Sequence, residues 1–297
     1  MRFLATAFCC LIFSIANTQD FDWWKNNVHW DGVTNWYKYL IISPKYFGPN
    51  ALSVPMINNG SVDSLTSLGA TLNLHFSNGD NTQNAMLYGN YTTKNNTISI
   101  DAEFVPFEMF QMSKAKKEER NVYYKEYYKT NTVGDVIVNT NAQIFKKWQK
   151  TILLSVRVGV RMPSGGAQGA ARYIDCPGYW IDLGWGKFFR NTKYKWIGMG
   201  GFMAWQTNND VERQDDAFVF GSGIEHNAND LRWQAYIAGY LGWRKNGDKP
   251  VVFRLNFEKK KKNIVYILRF QQGLHDFGYS SFETGAKFIL GKLSSHR

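Results

Sequence analysis

Cysteine and proline are scarce in this chain of 297 residues, with 3 Cys and 7 Pro. Two of the cysteines, Cys9 and Cys10, fall in an N-terminal apolar run, so the remainder carries only Cys176. A single thiol cannot form an intramolecular disulfide, which excludes a disulfide-stapled scaffold. Cys176 also lacks a histidine nearby in RYIDCPGYW, where Pro177-Gly178 marks a loop, so it reads as a structural thiol rather than a nucleophile. Beyond the first twenty positions there is no apolar run of about 20 residues, which excludes a helical membrane protein. Gly-rich phosphate loops and ligand clusters with metal spacing are missing too, so no cofactor and no metal is expected.

Aromatic residues, by contrast, are plentiful. The chain holds 11 Trp, 16 Tyr and 21 Phe, with a net charge of +11 and a mean hydropathy of -0.37. Met1 and Arg2 precede an apolar run from Phe3 to Ala16 and a small, polar stretch ending near Thr18. That layout predicts a cleaved secretory signal over 1–18, the run being too short for a membrane anchor.

From about residue 66, apolar and polar residues alternate with period two. In TILLSVRVGVR, Ile152, Leu154, Val156, Val158 and Val160 share a face opposite Ser155, Arg157 and Arg161. In VVFRLNFE, Val251, Phe253, Leu255 and Phe257 alternate with Val252, Arg254, Asn256 and Glu258, and NIVYILRFQ repeats the pattern. About twelve such segments are predicted, near 66–76, 84–92, 96–106, 133–145, 150–161, 178–189, 194–206, 217–226, 230–243, 250–258, 263–271 and 278–291. Their lengths suit tilted strands that cross a bilayer. Short links such as TTKNN, KKWQ, RNTK, NAN and EKKKK take turns with long ones, notably 107–132 and 162–177.

A soluble β-sandwich alternates as well, but it sends its polar faces to water, whereas a membrane barrel turns its apolar face to lipid. Tyr91, Trp148, Tyr179, Phe189, Tyr194, Trp205, Trp233 and Trp243 stand near segment ends, where interfacial girdles belong. The expected fold is therefore all-β, a transmembrane antiparallel barrel of about twelve strands over 66–291, with short periplasmic turns and longer extracellular loops. Residues 292–297 make a C-terminal tail. Residues 19–65, rich in Trp, Asn, Gly and Pro, hold one candidate strand, Trp36 to Ser43, and form a periplasmic arm or a lumen plug.

By parity the lumen is charged. Asp101, Glu103 and Asp135 point inward from early strands, and Arg157, Arg161, Arg254, Arg269 and Lys287 from later ones, with Asp182, Glu258 and Glu283 among them. Separate acidic and basic arcs would select polar or charged solutes across a water-filled pore. The same groups paired with one another would instead fill a narrow barrel.

The last predicted strand contains ETGAKFIL, in which Phe282, Ala286, Phe288 and Leu290 share one face and Glu283, Gly285 and Lys287 the other. Glu283, Gly285, Phe288 and Leu290 resemble the C-terminal assembly signal of Gram-negative outer-membrane barrels. That resemblance implies the barrel assembly machinery as a partner. Coming after eleven segments of the same parity behind an export signal, this strand is expected to close on the first, near 66–76. The chain continues with GKLSSHR instead of ending on the aromatic. VGDVIVNTNAQIF, SVRVGVRMPSGG and YWIDLGWGKFF, over 133–189, resemble the outer-membrane family of the phenol-degradation meta pathway. KYFGPNALSVP, AARYIDCPGYW and GFMAWQT are similar to uncharacterised outer-membrane proteins of the Bacteroidetes. These resemblances imply a barrel and solute passage, and no catalytic residues.

GIEHNAND around His226, with Ser222 on the same face, is similar to outer-membrane lipid hydrolases, but Ala228 replaces the serine that class requires. The Lys259 to Lys262 run and KAKKEER read as solvated turns or contacts with anionic headgroups, not as a nucleic-acid surface. The expectation is a non-enzymatic barrel in the outer membrane, in contact with its lipid, that passes small polar or charged solutes. A non-conducting structural or partner-binding barrel is the alternative. Parity leaves the oligomeric state open.

Overall fold

The computed structural model describes residues 21–290 apart from 124–128, 149–150, 191, 208–209 and 211–212. The predicted signal 1–18 and tail 292–297 lie outside the described residues. Strands β1 (Ser67–Ser77), β2 (Asp80–Thr92) and β3 (Ile98–Met112) are followed by a short β4 (Lys129–Thr132). Then come β5 (Val136–Trp148), β6 (Ile152–Met162), β7 (Gly178–Phe188), β8 (Tyr194–Gln206) and β9 (Gln214–Ala228). β10 (Leu231–Gly242), β11 (Val251–Lys261), β12 (Ile264–His275) and β13 (Ser280–Ile289) complete the set. Each long strand pairs antiparallel with its sequence neighbours, and β13 pairs with β1, so twelve strands close without a free edge. β4 pairs only with the far end of β3.

Closure explains ETGAKFIL. Gly285 stands opposite Thr71 across the β13–β1 seam, and a Cβ there would lie 2.2 Å from the Ala70 carbonyl oxygen. Phe282, Phe288 and Leu290 are exposed on the outer wall. So are Leu68, Leu72 and Phe76 of β1, Val158 and Val160 of β6, and Phe257 of β11. The apolar face points out, as a barrel in lipid requires.

The alternation of the third strand continues through Pro106 to Met112, because one extra residue is accommodated in β3 where its register with β2 shifts between Ala85 and Leu87. Proline is tolerated at such a bulge, and the extra residue flips the parity beyond it, turning Glu108, Phe110 and Met112 inward. Trp205 is not a girdle residue: it is 0% exposed and packs on Tyr240 inside the barrel. Tyr91, Tyr179, Phe189, Tyr194 and Trp243 do stand exposed near strand ends, while the side chain of Trp148 lies outside the described residues.

The connections from β2 to β3, β5 to β6, β7 to β8, β9 to β10 and β11 to β12 lie at one end of the barrel, with the start of β1. Asn229 and Asp230 both adopt positive φ, 50° and 61°, as a two-residue hairpin turn demands. Longer loops gather at the other end. The loop over 113–135 contains helix α2 (Lys114–Glu119), capped by the Ser113 hydroxyl, which accepts from the Lys116 N–H at 3.2 Å.

Residues 21–48 lie on that loop end. Helix α1 (Asp22–Val28) packs Trp24 against Tyr123 and Tyr39. Trp36–Tyr39 forms a 3-10 turn rather than the predicted strand, because Trp36 stacks on Tyr123 with ring centroids 4.8 Å apart instead of entering a ladder. Beyond Gly48, which donates its N–H to the Ala171 carbonyl, the chain turns into the barrel. It runs the length of the lumen to enter β1 at the short-turn end.

Candidate functional site

Without regular secondary structure, residues 49–65 must satisfy their polar groups through the wall. Tyr240 donates to the Leu52 carbonyl at 2.8 Å, and Arg254 donates to those of Val54 and Pro55 at 2.7 and 3.0 Å. Arg161 reaches the Ala51 carbonyl. Asn58 donates to Asp182 at 3.0 Å, Asn59 to Glu225 at 2.6 Å, and Gln143 to the Gly60 carbonyl at 2.7 Å. Phe47, Leu52, Val54 and Ile57 bury against Trp180, Met199, Met203, Tyr236 and Val252, forming an apolar core inside the barrel. β7 makes room with two glycines. A Cβ at Gly184 would fall 2.1 Å from the Asn58 side chain, and one at Gly186 would fall 2.6 Å from the Asn59 carbonyl oxygen. YWIDLGWGKFF therefore encodes a groove for the threaded segment, with Gly60 at a φ of 80° passing beside it.

Buried ions tie the loops to the wall at the loop end. Arg172, from the loop over 163–177, donates to Asp80 at 2.7 Å, to Glu108 at 2.7 and 2.9 Å, and to Thr82 at 2.7 Å. Arg120 donates to Asp80 at 2.6 Å and to the Tyr279 hydroxyl at 2.8 Å, and Tyr173 donates to Glu108 at 2.6 Å. Burial lowers the pKa of the Arg172 guanidinium, but Asp80 and Glu108 beside it outweigh that and hold it above the usual arginine range. Sequence reasoning missed this network. Arg120 belongs to KAKKEER, read as solvated, and is buried instead; Glu108 lies beyond the bulge, where parity had changed.

Between the threaded segment and the wall lies a cavity of about 510 Å³. Its lining follows the segment from Pro49 to Ser64 and includes Asn227, Arg232, Glu258 and Lys287 toward the short-turn end. Of the eleven charged residues predicted inside, Asp101, Glu103, Arg157, Arg161, Arg254, Glu258, Arg269, Glu283 and Lys287 line it. Asp182 and Asp135 face inward without reaching it. Asp182 is covered by Arg157 at 2.8 Å and by Asn58. Asp135 accepts the N–H groups of Ser164 and Gly165 at 3.1 and 2.7 Å, which fixes the start of the loop over 163–177. The Gly-Asp and Pro-Ser-Gly motifs of the sequence thus meet in one loop anchor.

Acids and bases interleave in pairs rather than in arcs. Arg269 and Glu283 lie 2.9 Å apart with Tyr88 donating to Glu283 at 2.7 Å, Lys287 lies 3.3 Å from Glu258, and Lys195 and Arg232 share Glu225 at 2.8 and 3.0 Å. On the outer wall, His226 stacks on Trp233 with centroids 5.9 Å apart and meets the tilted ring of Tyr194 at 4.6 Å. The Ser222 hydroxyl accepts the Trp196 indole N–H at 3.0 Å.

No protein-family model and no curated protein matches the chain. Among solved structures it is similar to the COG4313 outer membrane channel from Pseudomonas putida F1, with a TM-score of 0.59 and 8% identity, over 79% of this chain and 98% of that one. It also matches the beta domain of the Bordetella autotransporter BrkA, with a TM-score of 0.43 and 11% identity, over 77% and 100%. The twelve-strand closure, the outward apolar face and the first of these likenesses together give the chain the fold of an outer-membrane β-barrel.

Proposed function

We propose that this protein resides in the outer membrane and gives small polar or charged solutes a passive path along its lumen, with residues 49–65 narrowing that path. The observation that carries the reading is the cavity of about 510 Å³ beside the threaded segment, lined by nine of the eleven charged residues predicted inside. A charge-lined space inside a lipid-facing wall is suited to solutes that lipid excludes. The fold neighbour from Pseudomonas putida is itself an outer-membrane channel.

The test is planar-bilayer recording on the purified protein. Discrete conductance steps are expected, and Arg254→Glu should shift the ion preference toward cations. The ion network at the loop end favours a second reading, a non-conducting barrel whose loop face binds a partner. A silent bilayer from protein that still migrates faster unheated than boiled would overturn the first reading in favour of the second.

A further inference from the structure

The two ends of the barrel carry their charge differently. At the loop end lysines interleave with acids: Lys25 pairs with Asp22 at 3.4 Å, Lys114 with Glu118 at 3.7 Å, Lys116 with Glu119 at 2.7 Å, and Lys38 with Asp210. At the short-turn end Lys94, Lys146, Lys187, Arg190, Lys193 and the run from Lys259 to Lys262 are all exposed, and none of them forms a salt bridge among the described residues. The exposed acids described at that end are Asp63 and Asp230. These cations belong to the connections from β2 to β3, β5 to β6, β7 to β8 and β11 to β12, so they ring the wall instead of forming a one-sided patch.

Three of them stand on the outer face itself. Lys187 continues the outward series of Leu183 on β7, and Lys259 and Lys261 continue that of Phe257 on β11. Across the ladder Lys187 is opposite Trp196, and Lys259 is opposite Tyr266, both exposed on the same face. An aromatic ring at the edge of a lipid-facing wall sits at headgroup level, and a lysine beside it lays its stem along apolar surface while its ammonium reaches the phosphates. A zwitterionic headgroup offsets its phosphate with its own cation, whereas an acidic one leaves the phosphate charge for the protein. We infer that the short-turn end of the outer wall is a docking surface for acidic phospholipids, with their phosphates against Lys187, Lys259 and Lys261 and the rings of Trp196 and Tyr266 alongside. A single folded partner would need a contiguous patch, which a ring of cations does not supply. The inference is independent of whether the lumen conducts.

The experiment is electron paramagnetic resonance on the full-length protein in phosphatidylcholine vesicles that carry a trace of spin-labelled phosphatidylglycerol or spin-labelled phosphatidylcholine. The immobilised fraction of each probe gives its relative affinity for the wall. At low salt phosphatidylglycerol should be favoured by roughly fivefold or more, and the preference should fall as salt is raised. Lys187→Gln, Lys259→Gln and Lys261→Gln combined should abolish most of it, while Lys25→Gln with Lys114→Gln, at the loop end, should leave it intact. Equal immobilisation of the two probes would overturn the inference, as would a preference that survives the triple variant or disappears equally in the loop-end one. Binding of soluble polyglutamate that the triple variant loses, without any lipid preference, would also overturn it and give the cations to a soluble polyanion. If the triple variant lacks the heat-sensitive gel shift of a folded barrel, Lys187→Gln alone decides, by lowering the preference or leaving it unchanged.

Discussion

Asn59 donates its side-chain N–H to the Glu225 carboxylate at 2.6 Å, joining a residue that precedes the barrel in sequence to the inner face of β9. The same carboxylate takes Lys195, Arg232 and Gln234 from the wall. The threaded segment thus completes a shell of buried polar partners. Ordering its backbone costs about 1–2 kcal/mol per residue, and these bonds together with the buried Leu52, Val54 and Ile57 offset that cost.

Gly184→Val tests the groove. Its Cβ would overlap Asn58, and overpacking of this kind costs about 1–3 kcal/mol. The segment should shift while the barrel persists, giving larger bilayer conductance with an unchanged gel shift. Unchanged conductance would mean that the segment does not limit the path.

Arg172→Ala should loosen the loop end. Glu108 loses its cation while Asp80 keeps Arg120, and breaking a buried pair by removing one partner costs about 3–5 kcal/mol. Faster proteolysis between 163 and 177 and a lower temperature for loss of the gel shift are expected. Arg172→Lys should fail to restore either, because one ammonium cannot serve Asp80, Glu108 and Thr82 together.

The path of the chain sets its topology. Val33 is 87% exposed on the loop end, whereas Lys262 lies in a short turn at the other. In a barrel oriented with its short turns in the periplasm, Val33→Cys should react with an impermeant maleimide on intact cells, and Lys262→Cys only after permeabilisation. The opposite pattern would reverse the orientation.

Cys176 should not interfere with that labelling. It is 8% exposed, and burial, with Asp175 beside it, pushes its thiol up to about 11. The thiol is therefore protonated at pH 8, and ionises only as pH approaches 11. Alkylation of the native protein should be slow at pH 8, rise with pH while the fold holds, and become fast at pH 8 in denaturant. Rapid native labelling at pH 8 would show the loop over 163–177 to be open.

Sequence alone determined the wall. Period-two alternation is a local property, since successive side chains point to opposite faces, so Arg157, Arg254, Arg269, Glu283 and the other charges were placed inside without any knowledge of their neighbours. Closure of β13 on β1 followed from the same parity and from Gly285. What occupies the wall's interior was decided only by the tertiary structure. Residues 49–65 have no period, because their partners are side chains from many strands, and neither an arm nor a plug has a local signature. The bulge at Pro106 reversed parity for Glu108, and Arg120 and Arg172 are charged residues in loops whose burial depends on those loops folding inward. Which carboxylates are neutralised is likewise a property of distance: pairing covers Asp182 and Glu283 and leaves Asp101 and Glu103 facing the cavity, although all four look alike in the alternation.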